Sequence, residues 1–118
     1  MSYALLILEE RARRTRRSRQ DAMTEYDAMQ SFGAGLAVRG ILKSGEALKP
    51  DAEGVRISAR GGRALVLDGP FAESKEMIGG FFLLDVASRA EAIAIAAECP
   101  ATAWATVEVR EIGTCHDQ

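Results

Sequence analysis

An α+β fold follows from the order of apolar patterns along these 118 residues. Three observations carry the prediction. A continuous apolar run opens the chain at Tyr3–Leu8, two serine-initiated stretches carry apolar residues at helical spacing, and Gly61-Gly62 separates two short segments. The resulting order, β-α-β-(hairpin)-β-α-β, is a ferredoxin-like split β-α-β with an inserted β-hairpin. One domain is expected over residues 1–112, followed by a tail at 113–118 expected to fray.

Tyr3-Ala-Leu-Leu-Ile-Leu8 is short and uninterrupted, the pattern of a strand buried on both faces. Residues 1–19 then carry six arginines (11, 13, 14, 16, 17 and 19) against Glu9 and Glu10, a net charge of +4. The remainder holds nine basic and fifteen acidic residues, a net −6. The arginine run reads as a solvated loop leading into a helix, although a helix beginning inside it fits the composition equally. Ser18-x-x-Asp21 resembles a capping box. Ala22, Tyr26, Met29, Gly33 and Leu36 follow on one helical face, with an end expected between Phe32 and Val38.

Gly40–Leu48 looks extended and irregular, with Gly45 placed as a bulge. Lys49–Gly54 is a loop. Val55, Ile57 and Ala59 alternate with Arg56, Ser58 and Arg60, as in a half-buried strand, and Gly61-Gly62 turns the chain back into Arg63–Leu67. Residues 68–80 form a long connection. Phe81–Val86 is a strand, and Ser88-x-x-Glu91 caps a helix with Ala92, Ile95, Ala96 and Cys99 inward, stopped by Pro100. Thr106–Ile112 closes the sheet. Two helices cover only one sheet face, so a second copy is expected on the other, giving a two-fold homodimer.

Composition excludes several classes. The longest apolar run is far below the roughly 20 residues that span a bilayer, and no signal-peptide pattern is present. A cytoplasmic domain with reduced Cys99 and Cys115 is the expectation, and no membrane partner. The lone histidine is His116, so Ser-His-Asp and Cys-His mechanisms have no imidazole in the body of the domain. No CxxC or Cys/His pair suggests a metal. Neither Gly61-Gly62 nor Gly79-Gly80 opens a phosphate loop, so no cofactor is expected. The arginine run lacks interleaved aromatics beside an acidic remainder, which argues against nucleic acid.

Asp68-Gly-Pro-Phe-Ala-Glu-Ser-Lys-Glu76, followed by Gly79-Gly80-Phe81-Phe82, resembles the DGPF branch of the YCII-related proteins. The likeness extends to Met1–Leu8, Ser44-Gly-Glu-Ala-Leu48, Ala90-Glu-Ala-Ile93 and Val107-Glu-Val-Arg110, leaving out the arginine run and the tail. It implies a dimeric α/β barrel with a cleft at one end, lined by the Asp68–Phe71 loop. The wider group is associated with a histidine on the first helix paired with an aspartate at the position of Asp68, and one such relative acts on a chlorinated lactone. Here the first helix offers Met23, Tyr26, Asp27 and Gln30, so that dyad is incomplete. Some members of the branch occur beside or fused to alternative sigma factors.

The candidate site is a polar cluster at the mouth of an apolar cleft. Asp68 would act as acid or base, although an aspartate before Gly-Pro equally caps its own turn. Lys75 would stabilise an oxyanion or bind a carboxylate. Glu46 either is buried and paired or is an exposed edge-strand charge. Tyr26, Gly69, Pro70, Phe71 and Glu73 would contact an unknown small molecule, with Phe71 anchoring the loop by packing. Cofactor-free isomerase, lyase or lactone chemistry is one reading. The alternative is a ligand-sensing or protein-interaction module without turnover, whose arginines would meet a sigma factor or another acidic regulatory partner.

Overall fold

The computed structural model describes residues 1–116. The fold is α+β: β1 (Ser2–Glu10), α1 (Arg11–Arg16), α2 (Arg19–Val38), β2 (Leu42–Ala47), β3 (Val55–Arg60), β4 (Arg63–Asp68), β5 (Glu76–Asp85), α3 (Arg89–Glu98) and β6 (Thr106–Glu111). Four strands form one antiparallel sheet in the order β2-β5-β1-β6, and β3-β4 form a separate hairpin. The order is compatible with a ferredoxin-like fold.

Burial along β1 alternates. Tyr3, Leu5, Ile7 and Glu9 are buried, whereas Ala4, Leu6 and Leu8 are half-buried. A strand expected to be enclosed on both faces therefore has one face in the core and the other open. The core on the enclosed face gathers Tyr3, Leu5, Leu36, Phe82, Leu84, Val86, Ala92 and Ile95. Val107 and Val109 pack against it as well. The open face receives Glu108 and Arg110 from β6, which pair with each other at 2.6 Å.

α2 runs to the late end of its expected range because its cap lies beyond the two interior glycines. Gly40, at φ 74°, adopts the left-handed conformation that glycine favours. Its N–H donates to Ala37 O at 3.0 Å, and the Ile41 N–H donates to Leu36 O at 3.2 Å. These are the two bonds of a Schellman cap. Gly40 was expected to open an extended segment; it ends the helix instead.

Both serine caps form. Ser18 Oγ accepts from Asp21 N–H at 3.0 Å, and Ser88 Oγ accepts from Glu91 N–H at 3.2 Å. Glu91 Oε2 accepts from the Ala87 N–H, one residue ahead of a standard capping box. Ser88→Ala is expected to cost about 1 kcal/mol in urea unfolding.

Two expectations are corrected. The connection after the hairpin is short, because Asp68 ends β4 and β5 already begins at Glu76. The hairpin turns at Gly61-Gly62, where φ is 56° and 78°, but it is not half-buried. Val55, Ile57 and Val66 are 53, 70 and 64% exposed, since no element of the same chain covers them. Residues 113–116 of the tail form no helix or strand; Asp117 and Gln118 lie outside the described residues. No helix among the described residues is long and apolar enough to cross a membrane.

Candidate functional site

A cleft of about 670 Å³ opens between α2 and the enclosed face of the sheet. It forms where α2 departs from the strands. The C-terminal half of the helix buries Gly33 and Leu36, whereas Tyr26 in its N-terminal half is 54% exposed. Ala22, Tyr26, Met29 and Gly33 thus form one wall, and Phe82 and Trp104 complete the apolar lining. The stripe expected on one helical face is core at one end and cleft wall at the other.

Glu9 and Arg14 give the cleft its buried polar groups. Period-2 alternation places Glu9 on the same face as Tyr3, Leu5 and Ile7, and it is only 4% exposed. Arg14 reaches it from α1, and the two form an ion pair. The contact between Glu9 Oε1 and Arg14 Nε lacks hydrogen-bond geometry, so both atoms are without a hydrogen bond among the described residues. The rest of the guanidinium is engaged: Nη1 donates to Leu48 O at 2.7 Å and Nη2 to Gly79 O at 3.1 Å. Both residues line the cleft.

The arginine run is not a solvated loop. Arg11 donates to both carboxylate oxygens of Asp51, at 2.7 and 2.6 Å, and to Phe71 O and Ser74 O at 2.9 and 3.2 Å. Arg13 and Arg17 both bind Glu25 on α2. Arg13 also lies over Trp104, 5.5 Å from the ring centroid. Four of the six arginines are therefore spent on carboxylates of the same chain.

Hydrogen bonding by Arg13 holds the Glu25 carboxyl below its ordinary range, opposed by desolvation and assisted by Arg17. Hydrogen bonding by Arg11 does the same for Asp51, again against desolvation. Both folded-state pKa values lie below the unfolded ones. Their contribution is therefore present above the ordinary carboxylate pKa of about 4 and lost as pH falls through the depressed folded values. Amide protection factors across residues 11–17, corrected for the intrinsic pH dependence of exchange, are expected to fall as pH drops below about 4.

The residues singled out from the sequence fall in two places. Tyr26 and Glu46 border the cleft. Glu46 is exposed on the edge strand β2, opposite Phe81, so its charge needs no buried partner. Asp68, Gly69, Pro70, Phe71, Glu73 and Lys75 lie at the hairpin base and in the loop after it, outside the cleft lining of the same chain. Asp68, Glu73 and Lys75 are exposed.

That loop is nevertheless fixed. Phe71 is 5% exposed, with the Arg56 guanidinium 3.8 Å from its ring centroid. Gly69 approaches Asp51 O so closely that a Cβ there would overlap it, and the Gly69–Pro70 peptide is cis. The anchoring expected of Phe71 is thus shared with Arg11 and Asp51.

Glu9, Arg14 and Trp104 are the cleft residues that the sequence reading passed over. The alternation Tyr3, Leu5, Ile7, Glu9 was the available signal for the first. Nothing local marks Arg14 among its neighbours. Among the described residues no three His, Cys, Asp or Glu side chains form a metal-binding group.

A segment of 46 residues is 44% identical to an uncharacterised protein of Rhizobium meliloti (strain 1021), covering 39% of this chain and 37% of that relative. The matched segment thus spans little more than a third of the relative's length. The model of the YCII-related domain matches residues 1–115. By that match, nearly end to end, the chain belongs to the YCII-related domain family.

Proposed function

We propose that this chain, a member of the DGPF branch, acts as a homodimer and binds a small molecule in the cleft between α2 and the sheet. Its chemistry would be proton transfer without a cofactor, of isomerase, lyase or lactone type. The observation that carries the reading is the buried Glu9–Arg14 pair, set beside Tyr26, Met29, Phe82 and Trp104 in a cleft of about 670 Å³. That volume lies within the range typical of small-molecule sites, which are mostly apolar with a few polar groups. In this reading Glu9 takes the acid/base role considered for Asp68, and Arg14 the anion-stabilising role considered for Lys75. Tyr26 acts at the cleft rim. Asp68, Lys75 and Glu73 could enter the same chemistry only from a partner chain.

A panel of small lactones, enols and unsaturated carboxylic acids, screened by ligand-observed NMR with product analysis, tests the reading. A turned-over compound should lose on the order of a hundredfold in rate with Glu9→Gln while still binding. An unchanged rate rejects the role of Glu9, and absence of any millimolar binder rejects the cleft as a site. Binding without turnover leaves the sensing module.

The homodimer rests on the uncovered sheet face. Ala4, Leu6, Leu8, Phe81 and Leu83 are its half-buried apolar centre, and Ser44, Glu46, Glu108 and Arg110 its polar rim. The radius of gyration, 16.0 Å, also exceeds the roughly 13–14 Å of a compact chain this long. The projecting hairpin accounts for the excess, and a two-stranded hairpin is marginal in water by itself. A second copy packed sheet against sheet would close the barrel. Sedimentation should give a dimer that Leu6→Arg converts to monomer; a monomeric parent chain at 100 µM (roughly 10⁵-fold above a nanomolar Kd) rejects it.

A further inference from the structure

We propose that α1 is a charge-latched flap over one end of the cleft, whose opening regulates access to it. The ligand belongs to the reading above, whereas the motion of the flap is independent of it.

The helix has six residues, buries none of them and has no side-chain cap at Glu10. A helix this short has no independent stability in water. What holds it in place is charge-assisted contact to four parts of the chain. Arg11 binds Asp51 and the carbonyls of the loop after the hairpin. Arg13 and Arg17 grip Glu25 on α2, and Arg14 binds Glu9 on β1. The residues at both joints, Glu10 and Arg17, have extended backbone (ψ 131° and 148°), so the helix is continuous with neither β1 nor α2.

Its position over the cleft is fixed by what it touches. Arg14 and Arg17 line the cavity, as does Trp104, whose ring lies beneath the Arg13 guanidinium. Releasing the carboxylates would lift the Arg14 and Arg17 guanidinium groups from the cleft and the Arg13 guanidinium from the indole. α1 buries no residue, so what remains to oppose that motion is the pair of bonds from Arg14 to Leu48 O and Gly79 O.

Trp104 is the only tryptophan and reports directly on the flap. Acrylamide quenching is measured on the full chain and on Glu25→Gln, which weakens the hold on Arg13 and Arg17 together. Asp51→Asn, which weakens the hold on Arg11 outside the cleft, serves as the second variant. The quenching constant should rise about twofold in each, and in the parent chain between 0.05 and 1 M NaCl. Amide exchange over residues 11–17 should speed on the order of tenfold, while β1 and residues 28–38 keep their protection.

Unchanged quenching and exchange in both variants would overturn the flap. So would a loss of protection spread evenly through β1 and α2, which would make α1 an integral part of the fold. A chain whose Trp104 is uncovered but which binds no compound of the panel keeps the flap and rejects the ligand. One that binds in the cleft with quenching unchanged does the reverse.

Discussion

Phe82→Ala is expected to cost about 3–5 kcal/mol of folding stability, the range for truncating a buried aromatic ring. That is a large share of the roughly 5–15 kcal/mol available to a domain. The ring is 9% exposed and joins three elements. It meets Phe32 of α2 edge to face, with centroids 5.4 Å apart at 80°. A Cβ added at Gly33 of α2 would lie 3.2 Å from Phe82 Cε1, and one added at Gly45 of β2 would lie 2.7 Å from Cδ1. Both glycines thus leave space for this side chain. Removing it empties a site bounded by backbone on two sides, where collapse is difficult and the cavity cost stays high. Linear extrapolation of urea unfolding measures the effect. A loss below 1 kcal/mol would show that the sheet and α2 close over the gap. Phe82→Leu should cost less, because it restores much of the volume.

The same ring shows how far the sequence could be read. Gly33 appeared as a weakness in a helix and Gly45 as a bulge, each explained locally. An irregularity in the β2 register does occur, between Leu42 and Ser44, but Gly45 itself makes room for a side chain 37 residues away. Local pattern identified the strands because alternation reports which side chains share a face. It does not report whether anything covers that face. Hence β3 was legible as a strand while its burial was not: Val55 and Ile57 are 53 and 70% exposed.

Charge was legible as density and illegible as pairing. Six arginines in nine residues were plain in the sequence, yet Arg11 answers Asp51 forty positions later, and only the tertiary fold brings them together. Glu9 and Glu10 illustrate the same limit. They are adjacent and chemically alike, and strand parity alone sends the first inward and the second to solvent. The loop residues from Asp68 to Lys75 stood out because turn formers cluster there, but their distance from the cleft depends on how the hairpin projects.

Arg14→Ala is expected to destabilise the chain by about 3–5 kcal/mol, because removing one member of a buried pair leaves the other charge uncompensated. Glu9, at 4% exposure, is largely removed from solvent that could replace the guanidinium. The reverse change, Glu9→Gln, should cost less: Arg14 keeps its bonds to Leu48 O and Gly79 O, and its side chain retains 16% exposure. Combining Glu9→Leu with Arg14→Met should recover most of the loss, since an apolar pair of similar volume carries no desolvation cost. Urea unfolding of the parent, Glu9→Leu, Arg14→Met and the double variant closes a thermodynamic cycle whose coupling should exceed about 1 kcal/mol. Additivity within about 0.5 kcal/mol would mean that the two groups do not depend on each other. Strong coupling would show that Glu9 and Arg14 hold each other in place within the cleft, the arrangement the proposed chemistry requires.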